Sequence, residues 1–395
     1  MKSTYKRIGN YIELVDERNS GLKVKQLLGL SISKQFIPSV ANIIGTDMEN
    51  YKIISKNQFA CSTMQVRRDK KMPVALLQEV DKAIISQAYP VFKVKDETQL
   101  LPEYLMMWFT RSEFDREACF YAVGGVRGSL EWEDFCDMKL PVPHIDKQQQ
   151  IVAEYNTIVN RINLNKQLIQ KLEETAQTIY KQWFVDFDFP GENGQPYKTS
   201  GGEMVESELG DIPREWEVRK FGNIATIKAG GDKPKDFTSF STNQCPIPVY
   251  SNSSANEGLL GYTSKPTIMD NCITVSARGA IIGYTVLRKK PFMPVIRLII
   301  IIPKVESHLN YIYECIRRLK FDQSGSAQGQ LTVPDVSSYK ILMPDSVTLN
   351  KYQKIAAAQT DCIDLKNRET EKLTELQALL LSKLATVEND VNGQV

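Results

Sequence analysis

From Ile151 to Trp183 the chain repeats a stripe in alternating steps of four and three: Ile151, Tyr155, Ile158, Ile162, Asn165, Ile169, Leu172, Ala176, Ile179 and Trp183. That spacing keeps one side of a helix apolar and predicts a heptad seam, in which Asn165 is a polar interruption that specifies register at some cost in stability. A second polar helical stretch, about residues 350–385, carries a tighter seam at Leu373, Leu376 and Leu380, with Lys366, Asn367 and Glu369 upstream. At roughly 1.5 Å per residue, a helix over residues 148–184 is on the order of 55 Å long. The breaker-rich run Asp188-Phe189-Pro190-Gly191-Glu192-Asn193-Gly194-Gln195-Pro196 ends the first helix and starts a linker.

Outside the two helical stretches the pattern shortens. Ile273-Thr274-Val275, Tyr284-Thr285-Val286 and Leu298-Ile299-Ile300-Ile301-Ile302 read as strands, the last a buried one, and Pro102 to Phe114 reads as helix. The two halves also repeat. Arg7-Ile8-Gly9-Asn10 matches Lys220-Phe221-Gly222-Asn223, and Gly125-Val126-Arg127-Gly128-Ser129-Leu130 matches Ser326-Ala327-Gln328-Gly329-Gln330-Leu331. Each half then leaves through prolines, by Lys139-Leu140-Pro141-Val142-Pro143 and by Lys340-Ile341-Leu342-Met343-Pro344, into a long helix. An offset of roughly 200 residues is too long for a solenoid and describes a duplicated domain plus helix.

The pattern predicts two similar α/β globules and two long helices with coiled-coil seams, in the order globule, helix, globule, helix. The parts are a globule at 1–145, a helix at 146–187, a linker at 188–214, a globule at 215–346, a helix at 347–386 and a flexible tail at 387–395.

Composition narrows the chemistry. The chain's 395 residues, 42% of them apolar, are enough for two cores. There is no run of eighteen apolar residues and no apolar leader, so a soluble, cytoplasmic protein without membrane contact is expected. Seven scattered cysteines with no C-x-x-C spacing predict neither disulfides nor a thiolate metal site. Two histidines, His144 and His308, leave little scope for a metal cage or histidine-activated nucleophile. The net charge of +2, from 49 basic and 47 acidic residues, does not by itself suggest a nucleic-acid partner.

An adenine methyltransferase needs a glycine-rich cofactor loop and an acidic or amide residue followed by Pro-Pro and an aromatic; that tetrapeptide is absent, as is a G-x-x-x-x-G-K-[ST] phosphate loop. The one nuclease-like pattern, Pro334-Asp335 followed by Asp364-Leu365-Lys366, places its second half in a helical seam. No catalytic residue and no metal site is expected in this chain.

With the repeat laid out, the chain resembles the specificity subunits of type I restriction-modification systems. The resemblance rests on Tyr180-Lys181-Gln182-Trp183-Phe184-Val185-Asp186-Phe187-Asp188 and on Ser207-Glu208-Leu209-Gly210-Asp211-Ile212-Pro213-Arg214-Glu215-Trp216-Glu217-Val218. Further stretches similar to the family are Ile227-Lys228-Ala229-Gly230-Gly231-Asp232-Lys233-Pro234, Ile247-Pro248-Val249-Tyr250-Ser251-Asn252 and Ser276-Ala277-Arg278-Gly279-Ala280-Ile281-Ile282-Gly283. The first half has no counterpart of the glycine pair at 230 and 231.

The resemblance implies a non-catalytic subunit in which each globule reads half of a bipartite, asymmetric double-stranded DNA target. The two similar α/β globules would be separated by two long antiparallel coiled-coil helices, with an internal pseudo-two-fold repeat, and these helices would set the spacer and dock two modification subunits. Restriction subunits would join them, and S-adenosylmethionine, ATP and Mg would belong to those partners, with no cofactor in this chain. A bipartite reader needs two modules a fixed distance apart, near one DNA turn of roughly 34 Å or a multiple.

Glycine-rich loops let backbone approach phosphates, and Arg, Asn, Gln and Ser beside them can bond base edges. The candidates are Lys228, Ser251, Asn252, Ser276, Arg278, Gln328 and Gln330 in the second globule, and Arg67, Arg68, Lys70, Lys71, Arg127 and Ser129 in the first. A basic run such as 67–71 is also what a solvated loop looks like. The alternative function is a coiled-coil scaffold with duplicated protein- or glycan-binding globules. A glycan reader would more often expose clustered Trp and Tyr, whereas Trp108, Trp132, Trp183 and Trp216 fall in helix or boundary patterns.

Overall fold

The computed structural model describes residues 5–39, 46–64, 66–123, 128–319 and 330–387. The chain forms two compact units, one of residues 1–165 and 368–395, the other of residues 166–367.

In the first unit an antiparallel sheet runs in the order Ile12–Val15, Val91–Val94, Gln58–Cys61, Val74–Leu76. Its inner strands are mostly apolar because both faces are covered over much of their length, whereas Glu13 and Leu14 on the edge strand, and Lys93, are exposed. Successive residues of Gln58–Cys61 alternate between two cores, Phe59 and Cys61 entering one and Ala60 the other, and Phe92 and Val91 divide in the same way. The larger core is aromatic: Phe59 stacks on Phe92 at 4.9 Å, and Phe109 meets Phe114 at 4.9 Å and Phe135 at 5.6 Å. The helix Pro102–Thr110 supplies Phe109 and starts on a proline whose missing N–H would have no partner there anyway.

The second unit repeats this plan. Its sheet is ordered Ala225–Ala229, Leu298–Pro303, Cys272–Ser276, Thr285–Arg288, again antiparallel. Ile299 and Ile301 enter one core and Ile300 the other, so the run of isoleucines is a strand buried on both faces. A second, smaller sheet is ordered Leu259–Thr263, Ile247–Tyr250, Met293–Pro294.

Both units are closed by corresponding bonds. Tyr5–Arg7 pairs with Lys139–Pro141, and Glu217–Lys220 pairs with Lys340–Met343. Lys95 Nζ donates to the carbonyls of Gly9 at 3.0 Å and Asn10 at 3.3 Å; Lys304 Nζ donates to those of Gly222 at 3.3 Å and Asn223 at 3.0 Å. The Tyr104 hydroxyl donates to the Pro141 carbonyl at 3.2 Å, as the Tyr311 hydroxyl does to that of Leu342.

The long helices span Ile145–Phe184 and Ser346–Lys383. In the first unit their partners run in opposite directions along the chain. Gln377 Nε2 donates to the Tyr155 hydroxyl at 3.0 Å, Arg161 meets Glu369 at 2.6 Å, and Asn165 Nδ2 donates to Thr370 Oγ1 at 3.3 Å. In the second unit Tyr180, Trp183 and Phe184 gather on Tyr352, with the Phe184 and Tyr352 rings 4.8 Å apart.

On the first helix Ile151 and Ile162 are buried and Ile158, Ile169, Leu172 and Ile179 are half-buried, as is Leu373 on the second. One position of the expected seam is displaced. Leu376 is 49% exposed, and the inward place belongs to half-buried Gln377, held by Tyr155, with Leu380 and Leu381 half-buried beyond it. A leucine-only reading of the stripe chose the apolar neighbour over the hydrogen-bonded one.

Truncating the buried ring that links sheet and helices in the first unit, Phe92→Ala, is expected to cost about 3–5 kcal/mol, read as a lower denaturant midpoint of the whole protein.

Candidate nucleic-acid interface

In the second unit most candidates lie on segments that meet at one end of the main sheet. Lys228 is exposed near the end of Ala225–Ala229, and the chain continues into Gly230 and Gly231. A Cβ on Gly230 would lie 2.2 Å from the Val295 carbonyl oxygen, so only glycine lets these backbones meet. Gly230 N donates to the Leu298 carbonyl at 2.8 Å and Gly231 N to that of Pro294 at 3.2 Å.

Next to them Ala277 N donates to the Arg297 carbonyl at 3.0 Å, Leu331 N donates to the Ala277 carbonyl at 2.8 Å, and Arg278 bridges to Gln330. Asn252 completes the join: its Nδ2 donates to the Arg278 carbonyl at 2.9 Å, and its Oδ1 accepts from Arg278 N at 3.2 Å. The structure thus brings Asn252, Arg278 and Gln330 together, with Asn252 acting through backbone. Its amide is committed to holding the loop that carries Arg278.

Ser251 belongs to the same loop and bonds Gly258 through both N, at 2.8 Å, and Oγ, at 3.3 Å. Ser276 must be corrected as a contact residue. It is 1% exposed, and its backbone pairs with Tyr284 and Gly283, so its side chain belongs to the interior of the sheet. Gln328 and Arg127 lie outside the described residues.

Arg288 holds the turn before this loop's return. Its Nη1 lies 3.1 Å from Glu257 Oε2, its Nη2 bonds the Glu257 carbonyl, its Nε donates to Thr274 Oγ1 at 3.3 Å, and its guanidinium sits 3.6 Å from the Tyr250 ring centre. Burial pulls its pKa below the ordinary arginine value, opposed by Tyr250 and Glu257. These bonds stabilise consecutive left-handed residues, Asn256 at φ 46° and Glu257 at φ 53°, which side chains rarely adopt. Arg297, also left-handed at φ 73°, is exposed at the same end of the sheet.

In the first unit the two predicted groups are adjacent. Arg67 and Arg68 form the short helix Val66–Asp69, Lys70 follows at φ 53°, and Arg67 N donates to the Gly128 carbonyl at 3.2 Å. Gly128 is left-handed at φ 66°, and a Cβ there would lie 2.4 Å from Arg67 Cβ. Arg67, Arg68, Lys70 and Lys71 are exposed and Ser129 half-buried; Arg68 pairs with Asp69 at 2.7 Å.

A buried pair braces this turn. Lys34 lies 2.8 Å from Asp115, whose carboxylate also accepts from Met72 N at 3.1 Å. Burial lowers the Lys34 pKa, with Asp115 opposing.

Sequence reasoning did not single out Arg288, Lys34, Asp115 or Arg297. Arg288 had a readable signal, a charged residue at an inward position of the strand Thr285–Arg288. The backbone angle of Arg297 left none.

The nuclease-like pattern is dispersed into other work. Asp335 caps the helix Val333–Ser338 through Thr332, and Asp364 pairs with Lys289 at 3.2 Å. Among the described residues no group of three or more His, Cys, Asp or Glu could hold a metal, and no helix is long and apolar enough to cross a membrane.

These features define a chain of two α/β modules on one plan, each presenting cations on a braced loop. The chain belongs to the family described as the type I restriction modification DNA specificity domain, which matches residues 40–174 and 213–378. It is 29% identical over 59% of its length to a putative type I specificity subunit of Mycoplasma pneumoniae, and 37% identical over 35% of its length to another from that organism. It spans 57% and 40% of those relatives' own lengths. The type I restriction enzyme HindI specificity subunit of Haemophilus influenzae is 22% identical over 80% of this chain and 82% of its own. The fold is also that of the crystal structure of a type I restriction-modification S subunit from M. genitalium, with TM-score 0.64, 15% identity and coverage of 98% of this chain and 96% of that one.

Two substitutions test how the second loop is built. Gly230→Ala is expected to destabilise by about 1–3 kcal/mol because backbone must move. Arg288→Met is expected to cost about 1–3 kcal/mol by leaving the Glu257 carbonyl and the Thr274 hydroxyl without their donor. Thermal melts of each variant beside the unsubstituted protein give the measurement.

Proposed function

We propose that this chain is the non-catalytic specificity subunit of a type I restriction-modification assembly and reads a bipartite, asymmetric stretch of double-stranded DNA, one half-site through each globule. The observation that carries this reading is the repeated plan with unlike loops. Both units share strand order, closing pair and lysine-bonded turn, whereas the loops differ: Arg67 to Lys71 beside Gly128 in the first, Lys228, Arg278, Arg297 and Gln330 in the second. A common frame with different polar groups on its loops suits two different short sequences.

Exposed cations would meet phosphates and set register, while the shorter polar groups would approach base edges. Long helices of 40 and 38 residues supply a spacer of defined length, and their polar outer faces would dock two modification subunits, to which restriction subunits are added. S-adenosylmethionine, ATP and Mg would be held by those partners. The family membership favours DNA over the scaffold reading with protein- or glycan-binding globules.

Methylome sequencing of cells expressing the chain with its modification subunit, against cells lacking the chain, is expected to show a bipartite adenine-methylation motif that depends on the chain. Exchanging residues 1–145 for those of another family member is expected to change one half-site only. An unchanged methylome, with the modification subunit present and active, would overturn the proposal.

A further inference from the structure

The first unit exposes an apolar group beside its basic turn. Phe120 is 76% exposed, Val123 72%, Met64 48% and Tyr121 41%, and the Phe120 and Tyr121 rings lie 5.3 Å apart, edge to face. Single exposed apolar residues are common, but several exposed close together in the chain, as Phe120, Tyr121 and Val123 are, and bordered by charge mark a contact surface.

Its position is fixed by the bonds around it. The preceding residue, Cys119, reaches the Val66 carbonyl with Sγ at 3.5 Å. At Gly128 a Cβ would lie 2.4 Å from Arg67 Cβ and 3.0 Å from the Ala122 carbonyl oxygen, so the helix Ser112–Tyr121 ends against the turn that carries Arg67. Arg116 is exposed one helical turn before Phe120.

Three nearby carboxylates are already engaged, and burial raises the pKa of a fourth, half-buried Glu117 one turn before Phe120, with Arg111 opposing. Asp69 pairs with Arg68 at 2.7 Å, Glu113 with Arg116 at 3.2 Å, and Asp115 with Lys34 at 2.8 Å. That leaves Arg67, Lys70 and Lys71 as exposed cations around an apolar centre. A polyanion that also offers flat apolar edges satisfies both parts of this surface, and duplex DNA does so through its phosphates and the thymine methyl group of the major groove.

We propose that Phe120 is a specificity-determining residue of the first globule, packing its ring on a thymine methyl in the half-site governed by residues 1–145 while the basic turn holds the flanking phosphates. The inference rests on the DNA-reading function proposed above. Lys and Arg contacts would give this globule affinity without sequence preference; Phe120 adds preference at an A·T pair.

The test uses the full chain assembled with its modification subunit. Phe120→Ser alters a side chain that is mostly in solvent, so melting temperature is expected to be unchanged. Affinity for a duplex carrying the methylome-derived target is expected to fall about tenfold, the size of one good base contact. The first half-site should become degenerate at one A·T position with the second half-site intact, and Phe120→Leu should restore most of the preference. Replacing the thymine at that position by deoxyuridine should weaken binding several-fold for the unsubstituted chain and leave Phe120→Ser unaffected.

Unchanged affinity and motif in Phe120→Ser would overturn the inference. So would a first half-site without an A·T pair, or impaired capture of the modification subunit with DNA binding by the assembled complex intact. If the unsubstituted chain directs no bipartite motif, the proposed function itself has failed, an outcome separate from all of these.

Discussion

Each globule is closed by pairing its first strand with the strand that leads into a long helix, and the loops and helices of both units depend on that closure. The pairs Tyr5–Arg7 with Lys139–Pro141 and Glu217–Lys220 with Lys340–Met343 bring distant parts of each half together. A lysine then bonds two successive carbonyls of the turn after each opening strand. Because the closing strand is succeeded within a few residues by helix, the direction in which each helix leaves is tied to the sheet. In the first unit buried Gln148 strengthens the tie, donating to the carbonyls of Gln99 and Pro143 and accepting from Leu101 N. A loose joint here would let the helix swing; three hydrogen bonds from one amide oppose that.

With the frame fixed, the loops can carry unusual backbone. Left-handed Lys70, Asn256, Glu257 and Arg297 all occur in the proposed recognition segments or immediately beside them. Such residues persist only where neighbours over-determine them. In the second unit the bonds come from buried Arg288, and in the first from the Lys34–Asp115 pair that holds Met72 N. Both solutions place a charge in the interior, which is unfavourable unless it is paired and hydrogen-bonded. Their common result is a surface loop whose shape is set from beneath, leaving its outward side chains free to differ between the two globules.

How much of this was legible in the sequence depended on the range of the interaction. The first helical stripe reads directly from periodicity, as do the buried isoleucine strand and the duplicated turns, because each is a local pattern repeated along a single element. The strand pairings that close the globules join residues more than a hundred positions apart and left only the repeat as a trace. Ser276 looked like a loop residue from its neighbours Arg278 and Gly279, but the strand Cys272–Ser276 extends one residue further than the polar signal suggested and takes its side chain inside. Asn252 was visible as a polar residue beside a turn; that both ends of its amide bond the Arg278 backbone could not be read from spacing.

The helix pair shows why hydrogen-bonding residues can outrank leucines in such a stripe. A heptad made only of apolar residues tolerates shifts, since one leucine can replace another against the same surface. Asn165 bonded to Thr370, and Gln377 bonded to the Tyr155 hydroxyl, are satisfied only in one alignment of the two helices. A slip by one heptad would bury these amides without partners, each costing about 1–3 kcal/mol. Leu376 remains outside because Gln377 is needed inside, so the stripe gives up apolar burial at that level and gains a fixed register. In a protein whose proposed task is to measure the distance between two half-sites, register is the property that the helix pair must keep.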